Sequence, residues 1–478
     1  VSAVRTAATA QSLDLKGKRA TVMGLGTRGG GVGVARYLAA GGALVTVTDG
    51  KPAAELAAPL AELAGLPIRY VLGGHDEADF AEADLVVRNP GVRRDHSLLA
   101  LARARGVPVE MEMSLFLRAC PAPVAGVTGT KGKTTVATLA GALLTAWNPT
   151  TVVAGNMGIS ALARLPEIEP ETPVVLELSS WQLEATAEHG LSPHLSVITN
   201  VAEDHLNTYQ DFAEYGATKR SIAACQRPDD WAVLPIDDPE AWRAADQTAA
   251  RVVPFGAGDR GMDGAWAEPD RVVWRLDGEV LEAPLPTGDP FLGEHARVNA
   301  AAAVAIARLM GATSEAVATG LAGFRGVRDR MEPVMAIDDV RYINDTTATA
   351  PVAAAAALRA LAGTRVHLLA GGANKGLDPA PLAEAAADHG AVVYLFDGTA
   401  TPRLADALRA RGVEPHGPYG SMADAIAAAR DAAQPGSVVL LSPGCASFGL
   451  FRDEFDRGEQ FRAIVRALAA EDGGGGQA

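Results

Sequence analysis

Apolar residues fall in short uninterrupted blocks, each running into glycine, proline or an acid and each followed by a longer stretch with helical spacing. Blocks of that kind suit strands buried on both faces, and the helical stretches suit crossovers between parallel neighbours. RATVMGLG predicts a strand entering glycines, GVGVARYLAAGG a helix stopping at Gly41-Gly42, and ALVTVTD a second strand; ADLVVRNPG repeats the pattern. A parallel α/β domain is expected to about Glu112. PVAGVTGTKGKTTVATLAGALL opens a second unit, with further strands at PVVLELSS, LSVITN and WAVLPI. Between Val252 and Pro290 the texture shifts to short alternating stretches such as RVVWRLDGEVLEAPL, predicting small antiparallel strands. The helix HARVNAAAAVAIARLMG and a turn-rich GFRGVRDR linker follow. RYIND, RVHLLAGG, AVVYLFDG and SVVLLSPG, separated by alanine-rich helices, predict a third unit. The expected chain is α/β with three domains: 1–112 Rossmann-like, 113–327 P-loop ATPase-like with a small antiparallel sheet, and 328–478 Rossmann-like.

Composition narrows the partners. With 478 residues, 48% hydrophobic and 21% charged, the chain has the balance of a globular protein. No block approaches the ~18 consecutive apolar residues of a membrane span, and the N-terminal stretch lacks the long apolar segment of a secretory signal. Cys120, Cys225 and Cys445 stand too far apart for a metal cluster and are too few for a disulfide framework. A net charge of −15 opposes bulk attraction to nucleic acid or anionic lipid. A cytoplasmic monomer with no nucleic-acid partner and no membrane insertion is expected, and any phosphate must be held locally, at glycine-rich loops.

Such a loop is Gly126-Val-Thr-Gly129-Thr-Lys-Gly132-Lys133-Thr134-Thr135, where a strand gives way to a helix. Glycines let consecutive N–H groups point at an anion, and the helix N-terminus adds partial positive charge. Lys133 is placed to reach the β/γ-phosphates and the Thr134 hydroxyl to ligate Mg²⁺, although Val127 stands where a full Walker A loop has glycine. Glu177, in ELSSWQLE, follows an apolar strand, where an unpaired carboxylate would be costly in a core but could face the phosphates across a crevice. His205, in NVAEDHLN, again lies just past an apolar strand and could share a metal ion with Glu177. Taken alone, His205 reads as an ordinary surface or core histidine; beside Glu177 and the phosphate loop it reads as a metal ligand. Lys219 on its helix would pass for a solvated side chain.

A second glycine loop, Gly24-Leu-Gly26-Thr-Arg-Gly29, with Asp49 some way downstream, matches the dinucleotide fingerprint. It leaves three readings open: a nicotinamide-dependent oxidoreductase, a UDP-like ligand, or a structural turn. In the third unit, Asn344-Asp345-Thr-Thr-Ala-Thr349, Gly371-Gly372-Ala-Asn-Lys375-Gly376 and Ser442-Pro-Gly-Cys-Ala-Ser447-Phe448 each follow an apolar strand and so share one sheet edge. Asp345 could meet a ribose or metal there, and Lys375 and Ser447 offer donors to a carboxylate.

TGTKGKTT, ELSSWQLE, TNVAEDHLNTY, the lysine of YGATKRSI, NDTTATAP, LAGGANKG and LLSPGCASF occur in the order seen in the Mur ligase family. The chain resembles that family from the first glycine loop to about Leu468. The resemblance implies an ATP-dependent amide ligase of peptidoglycan precursor synthesis, acting on UDP-N-acetylmuramoyl-L-alanine and glutamate, with D-glutamate expected. Its alternatives are L-glutamate, or another Mur or folylpolyglutamate-type ligation. It further implies ATP on Gly129, Thr130, Lys131, Gly132, Lys133, Thr134 and Thr135, with Asn299, Arg330 and Asp345. Two Mg²⁺ ions would be held by Thr134, Glu177, His205 and Lys219, the last as a carbamate, and Lys133, Lys219 and His205 would be catalytic. Asp49 and Asn156 would contact the UDP-muramoyl substrate, and Thr349, Lys375, Ser447 and Phe448 the glutamate. Closure of the last domain about Arg325–Arg330 is expected to shield the intermediate from water. The sequence departs from the family at Thr346-Thr347, where Ser-Lys is usual, at Asp329, where His is usual, and at Glu454, where Phe is usual.

Overall fold

The computed structural model describes residues 13–26, 29–203, 209–287, 290–291 and 293–474, with side chains to residue 470. Two compact units divide the chain: one runs to Pro286 and includes Glu294–Gly323, and the other joins Thr287–Gly293 to Phe324 onward.

The first unit holds two sheets. Strands β1 (Arg19–Met23), β2 (Leu44–Asp49), β3 (Ile68–Leu72), β4 (Leu85–Arg88) and β5 (Val109–Glu110) form a five-stranded sheet in the order β3-β2-β1-β4-β5, parallel throughout. The order reverses beside β1, opening a crevice at its carboxyl end, where ligands of open α/β sheets bind. The second sheet has nine strands: β6 (Val124–Thr128), β7 (Val152–Gly155), β8 (Val174–Glu177), β9 (Leu195–Ile198), β10 (Trp231–Pro235), β11 (Arg251–Ala257), β12 (Gly264–Ala267), β13 (Arg271–Leu276) and β14 (Glu279–Pro284). Their order is β14-β13-β12-β11-β10-β9-β6-β8-β7, parallel except for the pairs β12/β13 and β13/β14. The stretch from Val252, expected as a small antiparallel sheet, instead extends the far edge of the large one: β11 is parallel to both its neighbours, and only β12/β13 and β13/β14 pair antiparallel. Strand β6 lies between β8 and β9, so the loop leaving it has neighbours on both sides. One apolar core spans both sheets, with Val22 and Val45 of the first in the same cluster as Val124 and Leu176 of the second. Helix Lys133–Trp147 packs on Ser314–Gly323, where Gly320 permits close approach: a Cβ there would lie 2.7 Å from Leu143 Cδ2.

The second unit is a six-stranded sheet of β15 (Glu332–Ile337), β16 (Val340–Asn344), β17 (Val366–Ala370), β18 (Val392–Phe396), β19 (His416–Tyr419) and β20 (Val438–Leu441). Their order is β15-β16-β20-β17-β18-β19, with only β15 antiparallel to its neighbour. The apolar blocks named above became buried strands. Of the strands they did not mark, β3, β15 and β19 lie at sheet edges and are partly or largely exposed, so their sequences carry little periodicity; β5 and β7 are short edge strands.

Candidate active site

The loop after β6 turns through Gly129 at φ 140° and Gly132 at φ 85°, a region that side chains disfavour. Space also requires these glycines: a Cβ on Gly129 would lie 2.0 Å from Thr199 Oγ1, and one on Gly132 2.7 Å from Asn299 Oδ1. The end of β9 straps the loop in place. The Thr130 N–H donates to Asn200 O at 2.9 Å, the Lys131 N–H to Asn200 Oδ1 and Asn200 Nδ2 back to Lys131 O, each at 2.9 Å. Lys133 Nζ donates to Gly129 O and Thr130 O at 3.0 and 2.9 Å, so its ammonium lies over its own loop. Thr134 and Thr135 follow in the first helical turn, where unpaired N–H groups favour an anion.

Glu177 ends β8, in register with Val127 of β6. It is 2% exposed. Its Oε1 accepts from Asn156 Nδ2 at 2.9 Å, while Oε2 is buried with no hydrogen-bond partner among the described residues. A carboxylate oxygen left so, beside a phosphate loop, fits a cation ligand: an unpartnered buried acceptor is otherwise costly. Asn156 is held on this carboxylate by its own N–H, which donates to Glu177 O at 2.9 Å. The same turn approaches the first glycine loop, for a Cβ on Gly29 would lie 3.7 Å from Gly158 O.

Lys219 projects from helix Phe212–Ala224 and is 2% exposed. Its Nζ donates to Thr128 Oγ1 at 3.2 Å and lies 5.5 Å from the centroid of the Tyr215 ring. Thr128 in turn donates to Leu178 O at 2.7 Å, and the Tyr215 hydroxyl is 3.3 Å from Thr130 Oγ1. The lysine that sequence would leave in solvent therefore sits beneath the phosphate loop, next to the strand end carrying Glu177. Thr128 and Tyr215, which sequence reading passed over, set its place. His205 lies outside the described residues.

At the first sheet, Asp49 faces inward. Its Oδ2 accepts from the N–H groups of Leu25 and Gly26 at 2.9 and 3.3 Å, and its Oδ1 from the Lys51 N–H at 2.9 Å. Glu112, buried between the two sheets, takes the Ser160 hydroxyl at 2.5 Å, and burial holds its carboxyl above the usual range. Arg88, at the end of β4, forms a buried ion pair with Glu184 at 2.7 Å and donates to Val92 O at 3.0 Å.

In the second unit, Lys375 Nζ donates to Thr349 Oγ1 at 2.8 Å, and both line one cleft. The loops after β17 and β20 are laced together, Ala373 N–H to Ala446 O at 2.8 Å and Ala446 N–H to Ala373 O at 3.2 Å. Ser447 beside them is 3% exposed and Phe448 64%. Asp345 is buried, accepting from Ser442 Oγ at 2.7 Å and the Met331 N–H at 3.2 Å; burial pushes its carboxyl up to about 6. Arg330 is exposed near Asp345. Asp329 has its charge met by Arg462 Nη1 at 2.7 Å and Asn344 Nδ2 at 3.0 Å. Arg457 is fully buried and donates to Thr346 Oγ1 at 3.0 Å, Thr346 O at 2.8 Å and Cys445 O at 3.3 Å, bracing the two loops. Neither arginine was singled out in the sequence, because nothing local distinguishes them from helix-surface charges.

A strand, a glycine-lysine loop and a helix, with a buried carboxylate and a buried lysine at adjoining positions, define a nucleotide-phosphate enzyme. The chain matches the MurD-like N-terminal domain over residues 18–110, the Mur ligase middle domain over 127–307 and the Mur ligase glutamate ligase domain over 329–445. It is 48% identical to the UDP-N-acetylmuramoylalanine–D-glutamate ligase of Roseiflexus sp. (strain RS-1), covering 95% of this chain and 100% of that one. To the ligase of the same name from Symbiobacterium thermophilum it is 40% identical, covering 95% and 98%. The chain belongs to the Mur ligase family, ATP- and Mg²⁺-dependent enzymes that form amide bonds. Among solved structures, the UDP-N-acetylmuramate–alanine ligase MurC of Thermotoga maritima shares the fold at a TM-score of 0.58 and 21% identity, covering 95% of this chain and 100% of that one. The FolC of E. coli in complex with DHPP and ADP does so at 0.54 and 19%, covering 76% and 93%. Membership in this family sets aside the oxidoreductase reading of the first glycine loop.

Proposed function

We infer that the chain joins D-glutamate to UDP-N-acetylmuramoyl-L-alanine at the expense of ATP, a step of peptidoglycan precursor synthesis. The observation that carries the reading is the meeting of the Gly129–Thr135 loop, the unsatisfied Glu177 Oε2 and the buried Lys219 at neighbouring strand ends.

A carboxylate does not acylate an amine at neutral pH, so it must first be activated. The muramoyl-alanine carboxylate takes the γ-phosphoryl of ATP, and ADP leaves. The glutamate amine then attacks the acyl carbon, loses a proton, and inorganic phosphate departs. The obstacle to the first step is the approach of two anions. Lys133 and the loop N–H groups offset that repulsion and hold the phosphates in line. Magnesium supplies further charge neutralisation on the phosphates when bound. Glu177, Thr134, His205 and a carbamate on Lys219 are the groups that would hold it, as two ions. Carbamate formation joins CO₂ to an uncharged amine with loss of a proton, and removal from water disfavours the ammonium that must give that proton up.

The division of labour we propose is 1–112 for the UDP-linked substrate, 113–327 for ATP and 328–478 for glutamate. Asp49 and Asn156 serve the first, Asn299, Arg330 and Asp345 join the phosphate loop on ATP, and Thr349, Lys375, Ser447 and Phe448 serve the last. No described helix is long and apolar enough to cross a membrane, and we propose a cytoplasmic monomer. The test is release of ADP and phosphate with UDP-N-acetylmuramoyl-L-alanine while D-glutamate, L-glutamate, alanine and diaminopimelate are offered in turn. Turnover with D-glutamate alone is expected. Protein that consumes no ATP with any of them would refute the assignment.

A further inference from the structure

A cleft in the second unit is walled by four segments from the carboxyl edge of its sheet. Thr349 comes from the loop after β16, Lys375 from the loop after β17 and Cys445 from the loop after β20; Arg403 comes from the first turn of helix Thr401–Ala410, which follows β18. Among the described residues that line it there are two cations and no carboxylate. Burial pushes the Cys445 thiol up to about 11, so it adds no negative charge at neutral pH.

The two cations differ in their engagement. Lys375 already donates to Thr349 Oγ1 at 2.8 Å. Arg403 is exposed and has no hydrogen-bond or ion-pair partner among the described residues. On the same helix, Arg409 pairs with Glu414 at 3.0 Å, so an unpaired arginine is not the rule for this surface. Thr347, in the loop after β16 that also carries Thr349, is uncharged, and its hydroxyl donates to Asp329 O at 2.8 Å. That position therefore contributes no positive charge.

Glutamate differs from its uncharged isosteres by a side-chain carboxylate, and the two cations lining one cleft can meet that charge together. We propose that Arg403 is a specificity-determining residue that, together with Lys375, holds the side-chain carboxylate of the amino-acid substrate, leaving the α-carboxylate to the Ser447 loop. A guanidinium suits this role because its planar fork meets a carboxylate through two parallel hydrogen bonds. The proposal rests on the glutamate-ligase reading above.

Arg403→Ala and Arg403→Lys in the full chain test it, with saturating ATP and UDP-N-acetylmuramoyl-L-alanine. For Arg403→Ala, the KM for D-glutamate should rise about 10-fold, the scale of one lost charge-assisted hydrogen bond, with kcat changed by less than about 2-fold and the KM for ATP unmoved. The preference for D-glutamate over D-glutamine, which lacks one carboxylate, should fall by a similar factor, and Arg403→Lys should lie between. An unchanged KM and an unchanged preference would overturn the proposal, as would an equal loss toward ATP and both amino acids, the mark of a structural role. Wild-type protein inactive with D-glutamate would instead overturn the reading beneath it.

Discussion

The glycine loops after β1 and after β6 share one layout, strand into glycines into helix, yet their N–H groups meet different partners. In the first, the Leu25 and Gly26 N–H groups already donate to the carboxylate of Asp49, an anion built into the fold. In the second, the straps are neutral, Asn200 and Thr199 from the end of β9, and the charge lying over the loop is the Lys133 ammonium. Glycine spacing is common to both; what differs is the residue delivered by the neighbouring strand. A loop strapped by amide and hydroxyl keeps its positive field for a triphosphate, whereas a loop strapped by a carboxylate has part of that field cancelled.

Lys133→Ala should give the largest effect, a loss of ADP release on the order of 10³-fold or more with an unchanged far-UV circular dichroism spectrum; normal turnover would break the comparison. Lys219→Ala should be nearly as inactive and recover in part with added small carboxylates, since these can replace the carbamate oxygens. Wild-type activity in the variant would remove the lysine from the site, and an inactive variant that no carboxylate rescues would remove the carbamate. The glycines sharpen the contrast. Gly129→Ala, whose Cβ would meet Thr199 Oγ1, should weaken ATP binding on the order of 10²-fold. Gly26→Ala, at φ 63° beside Asn89, should leave ATP binding intact and raise the KM for the UDP-linked substrate; calorimetric titration of each ligand separates the two. Asp49→Asn should lower stability by about 1–3 kcal/mol, because a carboxamide offers one acceptor oxygen where the carboxylate offers two, a shift readable in the denaturant midpoint.

The smallest effect concerns the other buried aspartate at a strand end. Burial lifts the Asp345 carboxyl to about 6, so the folded chain keeps this proton to higher pH than the unfolded chain. Its contribution to stability is complete below a pH of about 4 and declines as the pH rises toward the folded value. Asp345→Asn should flatten that part of the profile of thermal midpoint against pH.

Much of this was legible without coordinates. Buried parallel strands announce themselves as apolar blocks, and a strand ending in Gly-x-x-Gly-Lys-Thr entering a helix is a phosphate loop for reasons of local backbone chemistry alone. The three α/β units, the loop and the placing of Glu177 at a strand end and Lys375 past one follow from period and turn residues within a short window. Strand order decided the rest. Placing β6 between β8 and β9 brings Glu177, Asn200 and Thr199 against one loop, and the packing of helix Phe212–Ala224 puts Lys219 on Thr128 from far along the chain. Asn156 on the Glu177 carboxylate, the inward turn of Asp49, the arginines Arg457 and Arg462 inside the second unit, and Arg403 lining one cleft with Lys375 are of the same kind. Hydrophobic periodicity is a property of neighbours in sequence, whereas the partner of a polar side chain is set by which crossover lands beside it; only the assembled sheets contain that information.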